Sequence, residues 1–418
     1  SAAKVGIMGC KRSFSPWMLS RTIQMRGSIA RRGKSRYGDG SIRQRGPDAF
    51  QVRWYVNKRR HETTVRGTMA DAKRELRAKL KSADDGQHVA PARVTVADYI
   101  RSRLSVWKES GKISATTHER YSYLIENQVI PFIGNILVQK LTTTDIEKWH
   151  STLRGKGRKD GDGGVSARTI TSVHRVLGKA LADGVRHDLL TRNVTGHEGQ
   201  AAPKVDADEV EIIPREQVND VIDKLKGHAI YDKAVIALFT GLRRGELLAL
   251  RWGNVDLEGK AISVRAVLQE TKAGVAFKDT TKTKAGRRVV TLPGIVVTVL
   301  RDIRRQQLEE RIALGLGKLP DDALVFPARD GGPSRPTNLS SGWAVVADAI
   351  GLAGVTFHAL RHTHASMLIS AGIDVVRVSK RLGHANPAVT LKTYAHLFDK
   401  QDDKSAEAID ATVAAFNI

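Results

Sequence analysis

The chain has a single cysteine, Cys10, in 418 residues, so it can form neither an intrachain disulfide nor an all-cysteine zinc site. No stretch approaches the ~18 consecutive apolar residues that a membrane helix needs, and no membrane segment is expected. Acid is scarce as well: 44 Asp and Glu stand against 68 Lys and Arg, a formal charge of +24. An imbalance of that size points to a polyanionic partner. The chain also lacks the Gly-x-x-x-x-Gly-Lys-[Ser/Thr] loop that cradles nucleotide phosphates, and it has no internal repeat or low-complexity tract. What remains is 41% hydrophobic, apolar enough for packed cores, and at roughly 100–200 residues per domain the length suits two to four of them. The cysteine usage leads us to expect a reducing location, cytoplasmic and nucleoid-associated.

The charge is concentrated at the start. Residues 1–60 hold 15 Lys and Arg against Asp39 and Asp48. Residues 1–39 read as a basic flexible arm; the acid-free stretch Ser1 to Met25 resembles a transit peptide but has no apolar core of a secretory signal. From Phe50 to Val56 apolar and polar residues alternate, then a basic turn leads to His61 through Val65, which predicts a small sheet. Thr68 through Asp71 has the form of a capping box, and Ala72, Leu76 and Leu80 lie on one helical stripe. Residues 40–90 are therefore expected to hold a β-β-β-α unit. Its basic residues Arg43, Arg45, Arg53, Lys58, Arg59 and Arg60 are candidates to touch DNA, since a β-ribbon fits the major groove as a helix does.

Residues 94–195 predict a compact helical bundle of four helices. The first begins at a Thr95-to-Asp98 cap and carries Ile100, Leu104 and Trp107; the second carries Tyr121, Leu124, Ile125 and Val129 and is expected to stop at Pro131 and Gly134. The third carries Ile146, Trp149 and Leu153, and the fourth Ile170, Val173, Leu177 and Leu181, with the glycine-rich stretch Gly155 to Gly164 read as a loop between them. Residues 196–211 read as a linker, with five acids against Lys204 between Glu198 and Glu211. Residues 212–399 alternate helices with one hairpin signal, Ala261 to Val264 and Arg288 to Leu292 flanking a turn rich in Lys, Thr and Gly. In the last segment, 400–418, Ala406, Ile409, Val413 and Phe416 are spaced as an amphipathic helix.

The third segment carries the chemistry-bearing residues. Thr240-Gly241-Leu242-Arg243 ends an apolar helix and sets Glu246 three residues after Arg243, a spacing that can hold a guanidinium in place. His358 and Arg361 fall on one helical face, followed by Leu382-Gly383-His384 and by Tyr394. His358 and His362 have an i,i+4 spacing that suits zinc, but position 359 is alanine where a His-Glu-x-x-His site needs glutamate. No metal is assigned and no cofactor is expected.

Taken in order, an arginine with its Glu, a lysine in a hairpin turn, His-x-x-Arg, Leu-Gly-His and a tyrosine ten residues after that His resemble the tyrosine recombinase (phage integrase) family. The resemblance covers about residues 210–400, and the segments before it are similar to the family's core-type and arm-type DNA-binding domains. It implies a multidomain, mainly α protein with small β-sheets and a mixed α+β catalytic domain. It implies catalytic roles for Arg243, Lys282, His358, Arg361, His384 and Tyr394, with Glu246 in support; Lys284 shares the turn with Lys282, and that choice stays open. The function implied is site-specific recombination through a 3′-phosphotyrosyl intermediate, without ATP or metal, by a homotetramer on double-stranded DNA with core-type and arm-type sites. An excisionase or a DNA-bending protein is a candidate partner. A transposase, a chromosome-dimer resolvase, a type IB topoisomerase and a non-cleaving DNA-binding regulator are the rival readings.

Each phosphate neutralised adds about −0.9 to the slope of log K against log salt. Deleting residues 1–90 is therefore expected to flatten that slope on long DNA with outlying sites while changing affinity for a minimal crossover site far less. Equal loss on both DNAs would make the basic segment a nonspecific tether.

Overall fold

The computed structural model describes residues 40–56, 59–84, 92–159, 162–196, 202, 211–279, 286–398, 409–410 and 412–414. The proposed arm 1–39, nearly all of the linker, Lys58, Lys282, Lys284, Ala406 and Phe416 lie outside them. The chain divides into two units, 1–90 and 91–418.

In the first unit, strands β1 (Ser41–Gly46), β2 (Ala49–Val56) and β3 (Arg59–Arg66) form an antiparallel sheet in sequence order, followed by helix α1 (Met69–Asp84). The alternation along β2 dictates the layering. Phe50, Val52 and Trp54 are buried, and Ala72, Leu76 and Leu80 of α1 join that core, while Gln51 and Arg53 take the opposite face of the pleat. The expected capping box forms, with the Thr68 N–H donating to Asp71 Oδ2 at 2.9 Å and the Asp71 N–H to Thr68 Oγ1 at 3.3 Å.

The second unit opens with a helical bundle. Helix α2 (Val96–Glu109) starts at a Thr95 cap, and α3 (Ala115–Leu124) follows. Contrary to expectation, Pro131 does not stop this helix: α3 passes through a π-turn at Ile125–Val129 into α4 (Ile130–Ile133). Proline has no N–H to offer and crowds the carbonyl four residues back, and the wider turn just before it is where such a defect can be absorbed. Helix α5 (Thr143–Lys156) runs two residues into the stretch read as a loop, and α6 (Ala167–Arg186) completes the bundle. Its core holds Trp107, Trp149, Ile100, Ile146, Ile170 and Leu177.

One carboxylate is buried inside this bundle. Asp183 on α6 accepts from Trp107 Nε1 at 2.7 Å and from Arg103 Nη2 at 2.7 Å, and it also pairs with Arg186. Burial alone would raise its pKa, but the Trp107 and Arg103 hydrogen bonds outweigh that and hold it below the usual carboxylate range.

The remainder is built on a second apolar core. Helices α7 (Val218–Leu225), α8 (Tyr231–Thr240) and α9 (Arg244–Leu248) precede strand β4 (Val255–Asp256) and β5 (Ala261–Val264). Then come β6 (Ala266–Thr271), β7 (Gly274–Asp279) and β8 (Arg288–Thr291). The expected partners do pair, Ala261 with Thr291 through Val264 with Arg288, but not as one simple hairpin. A second hairpin, β6 with β7, is inserted between them, closed by Lys272 and Ala273. Its register sets Leu268 opposite Phe277 and Thr271 opposite Gly274, a short alternation that the lysine-rich stretch after it obscured. Helices α10 (Gly294–Ala313) and α11 (Pro336–Ala349) lead to α12 (Ala359–Ser370), α13 (Val375–Leu382) and α14 (Pro387–Phe398). Residues 409–410 and 412–414 are helical, and Ile409 and Val413 are exposed there.

Removing one member of a buried, hydrogen-bonded ion pair strands the others and costs about 3–5 kcal/mol. Asp183→Ala is thus expected to lower stability by about 3 kcal/mol or more, read as a drop in urea midpoint; a loss below about 1 kcal/mol, the scale of an exposed pair, would contradict the buried role.

Candidate active site

The site is assembled at three helix ends. Helix α8 closes on Gly241 in the left-handed conformation, φ 68°. A Cβ there would sit 2.6 Å from the His364 ring, so both the turn and the close packing require glycine. The turn delivers Arg243 to the N-cap of α9, where its N–H donates to Glu246 Oε2 at 2.9 Å and its Nη1 to Oε1 at 2.8 Å. The Arg–Glu spacing seen in the sequence thus becomes a fixed contact.

Glu246 holds a second arginine, one the sequence reading did not single out. Arg288 on β8 forks onto it, Nη1 to Oε1 at 3.0 Å and Nη2 to Oε2 at 2.8 Å, with both side chains almost fully buried. Burial pushes the Glu246 carboxyl upward, but Arg288 first and Arg243 second overcome this and bring it down to about 2. The signal that could have found Arg288 is its alternation with the buried Val290 on a strand paired to β5. Its neighbourhood instead reads as a basic turn.

At the third end, helix α13 finishes on Gly383 at φ 70°, with the Gly383 N–H on the Lys380 carbonyl and the His384 N–H on the Ser379 carbonyl. This is a Schellman closure, and it leaves the last carbonyls without helical partners. Three arginines take them in succession. Arg288 Nε donates to the Arg381 carbonyl at 2.7 Å, Arg361 Nη2 to the Leu382 carbonyl at 2.6 Å, and Arg243 Nη2 to the Gly383 carbonyl at 3.0 Å. Arg361 also donates to the Gly241 carbonyl at 2.6 Å, tying the first helix end to the last. It is 3% exposed; burial, and then the Arg243 charge, push its pKa down to about 9.

The histidines and the tyrosine fill the space between. His384, next after Gly383, places Nδ1 2.8 Å from Thr390 Oγ1. Burial, then Arg361 and Arg243, lower it to about 4. His358 caps α12 and is lowered by burial and by Arg361. Tyr394 on α14 packs with Ala365, Ile369, Val378 and Leu382, and burial raises its hydroxyl to about 12. The resemblance implies a catalytic role for His358 and none for His362, yet it is His362 whose Nδ1 lies 2.5 Å from the Tyr394 hydroxyl, with the His358 ring edge-on to His362 at 4.8 Å. The i,i+4 spacing that suggested a metal brings two imidazoles into ring contact. Among the described residues no group of three or more His, Cys, Asp or Glu is arranged to hold a metal ion.

Of the sequence-assigned residues, Arg243, Glu246, Arg361, His358, His384 and Tyr394 therefore come together, while Lys282 and Lys284 fall outside the described residues. In the first unit, Arg45 donates to Gln51 Oε1 at 3.0 Å, and Arg53 and Arg60 share Glu62 at 3.3 and 3.6 Å. Arg43 lies opposite Gln51 in the register, Arg53 opposite Glu62 and Arg60 opposite Tyr55, all on the sheet face turned away from α1. Arg59 pairs with Val56, and Lys58 is not described.

Glu246 has a folded pKa of about 2 against an ordinary value of 4.5. The stability it contributes is fully present above about pH 4.5 and is lost as the pH falls toward 2. The stability gap between the native chain and Glu246→Gln, measured by urea denaturation, is expected to stay level from pH 7 to about pH 5 and to narrow from there down to pH 3. A gap independent of pH would contradict the burial and pairing described.

Comparison with known proteins bears on the family and the fold. The phage integrase family matches residues 211–401, and the phage integrase N-terminal SAM-like domain matches residues 100–154. A "Tyrosine recombinase XerC-like" protein of Caldanaerobacter subterraneus is 28% identical over 285 residues, covering 65% of this chain and 71% of its own. An integrase of Streptomyces ambofaciens is 29% identical over 340 residues, covering 78% and 82%. In fold, the chain is similar to the integrase of the transposon Tn1549 in complex with a circular intermediate DNA, with a TM-score of 0.63 at 21% identity over 75% of this chain and 99% of that one. It is also similar to lambda integrase in a dimer bound to a COC′ core site, with a TM-score of 0.51 at 15% identity over 87% and 95%. The mainly helical architecture with small sheets, the helix-end arrangement around Tyr394 and the order of the two matched regions have one common explanation: the chain belongs to the phage integrase family of tyrosine recombinases.

Proposed function

We propose that this chain is a site-specific DNA recombinase, the integrase of a phage or integrative mobile element, cutting and rejoining strands through a 3′-phosphotyrosyl bond. The observation that carries this reading is the meeting of Tyr394 and His362 with Arg361, whose guanidinium spans the carbonyls of Gly241 and Leu382. A phosphodiester resists attack because its own oxygens repel nucleophiles, so fixed cations at the non-bridging oxygens are what the reaction needs. Arg243, the more exposed of the two arginines at 38%, and Arg361 supply them. His384, neutral at physiological pH by its pKa of about 4, donates a hydrogen bond from the nitrogen not facing Thr390. The tyrosine oxygen forms the new bond to phosphorus, the bond to the 5′-oxygen breaks, and Lys282 or Lys284 protonates that oxygen as it leaves. The phosphotyrosyl link keeps the energy of the broken bond, so rejoining to a second strand requires neither ATP nor a metal.

The supporting parts follow the chain: an arm at 1–39, an arm-type DNA-binding unit at 40–90, a core-type unit at 94–195, a linker at 196–211, the catalytic domain at 212–399 and a tail at 400–418. The partners are double-stranded DNA with core-type and arm-type sites and three further copies of the chain, with an excisionase or a DNA-bending protein as accessory. The location proposed is cytoplasmic, on the nucleoid. The similarity to relatives named integrase, including the ICEBs1 integrase of Bacillus subtilis at 24% identity over 348 residues, supports a mobile-element role.

Tyr394→Phe removes one oxygen and keeps the packing of the ring. DNA binding is expected to persist in a gel-shift assay while covalent complexes on a nicked suicide substrate disappear. Undiminished covalent product from this variant would overturn the nucleophile assignment.

A further inference from the structure

The nucleophile's proton has to go somewhere, and the surroundings of Tyr394 restrict where. Arginines are donors only and cannot take it. Nδ1 of His384 faces Thr390 at 2.8 Å. The only imidazole in hydrogen-bond contact with the hydroxyl among the described residues is His362, at 2.5 Å through Nδ1. We propose that His362 is a catalytic residue of the strand-cleavage step, accepting the Tyr394 proton directly, with His358 acting on it from behind and not on the tyrosine.

Three features of the structure carry this. First, the two partners sit one helix apart on rigid elements: His362 in the first turn of α12, whose Arg361 is fixed on two carbonyls, and Tyr394 on α14 within an apolar cluster. Second, His362 is free to accept. Burial, then His358 and Arg361, lower it to about 4, so the ring is neutral near pH 7 and in the Nε2–H tautomer presents a lone pair at Nδ1. Third, the tyrosine needs help, because burial raises its hydroxyl to about 12 and a free phenolate is correspondingly rare at neutral pH.

The step balances simply. As Tyr394 Oη forms its bond to phosphorus, the O–H electrons stay on oxygen and the proton passes to His362 Nδ1; the 5′-oxygen departs and takes a proton from a separate acid. In the rejoining step the incoming 5′-hydroxyl gives its proton back to the acid that was deprotonated in cleavage and displaces the tyrosine, and the His362 imidazolium returns its proton to the phenolic oxygen. The imidazolium is transient, since burial, His358 and Arg361 disfavour a lasting positive charge. The His358 ring, edge-on at 4.8 Å, limits the rotation of His362 and so keeps Nδ1 on the hydroxyl.

This inference rests on the recombinase reading, and the test separates the two. Single-turnover cleavage of a nicked suicide substrate is measured with the full chain and with His362→Ala, His362→Asn and His358→Ala, beside gel-shift affinity for the same DNA. Asparagine can keep a hydrogen bond to the tyrosine but cannot take its proton, so it separates positioning from acid–base work. Loss of a general base is expected to slow cleavage about 10²-fold or more in both His362 variants, with affinity within about twofold of the native chain, and added imidazole is expected to restore part of the rate to His362→Ala alone. A native rate in His362→Asn would reduce the contact to positioning. Faster cleavage by His362→Ala would make it a restraint, and imidazole rescue of His358→Ala instead would return the role to His358; each of these overturns the proposal. Absence of covalent product from the native chain would remove the recombinase reading and this inference with it.

Discussion

Everything in the catalytic centre depends on how this fold packs several guanidinium groups within one small volume without letting them repel one another apart. The answer is a single buried carboxylate and a set of backbone carbonyls. Glu246 carries Arg243 on one side and the fork of Arg288 on the other, and the Arg381, Leu382 and Gly383 carbonyls absorb one donor each from Arg288, Arg361 and Arg243. The negative end of a helix dipole is a natural place for cations. Here it is also the segment that carries His384. Arg243, Arg361 and His384 are therefore positioned by the same few atoms, and none can shift without disturbing the others. Burial first, and this field second, lowers the pKa values of His358 and His384, while burial, then His358 and Arg361, lowers that of His362. Burial and neighbouring cations keep all three neutral, which is the form that can accept a proton or donate from one nitrogen while accepting at the other.

The sequence was most readable where function or structure is local. The two Thr-x-x-Asp caps expected at Thr68 and Thr95 form as side-chain-to-backbone contacts within one turn, and such contacts depend on spacing alone. The Arg243–Glu246 contact, the left-handed Gly241 and Gly383 and the alternation in β2 are of the same kind. The residues missed are those whose meaning is tertiary. Arg288 meets Glu246 across 42 positions and His362 meets Tyr394 across 32, and nothing in either neighbourhood marks the partner. The β6–β7 hairpin was hidden for a different reason: the expected pairing of β5 with β8 is correct, so the chain between them read as one long turn, although its two strands close on only two residues.

Tyr394 is 2% exposed, so its hydroxyl rests inside the protein, bonded to a histidine and surrounded by aliphatic side chains. In the proposed chemistry a nucleophile kept in this way is shielded from chance reaction and stays in contact with the proposed proton acceptor. The division between a rigid anion-binding frame and a separate helix bearing the nucleophile follows from where the hydrogen bonds are, since the arginine contacts bind α8, α9, α12, α13 and β8 and leave α14 to the His362 bond, the His384–Thr390 bond and apolar packing.

The claim that a buried carboxylate and its arginine fork organise the site is tested most directly at Arg288, which has no role of its own in the proposed chemistry. Arg288→Lys keeps the charge but cannot span both Glu246 oxygens and the Arg381 carbonyl together. Cleavage of a nicked suicide substrate, measured at saturating protein beside gel-shift affinity and the pH dependence of the rate, is expected to fall by about tenfold or more with core-site affinity unchanged. A native cleavage rate in a folded Arg288→Lys protein would contradict the account.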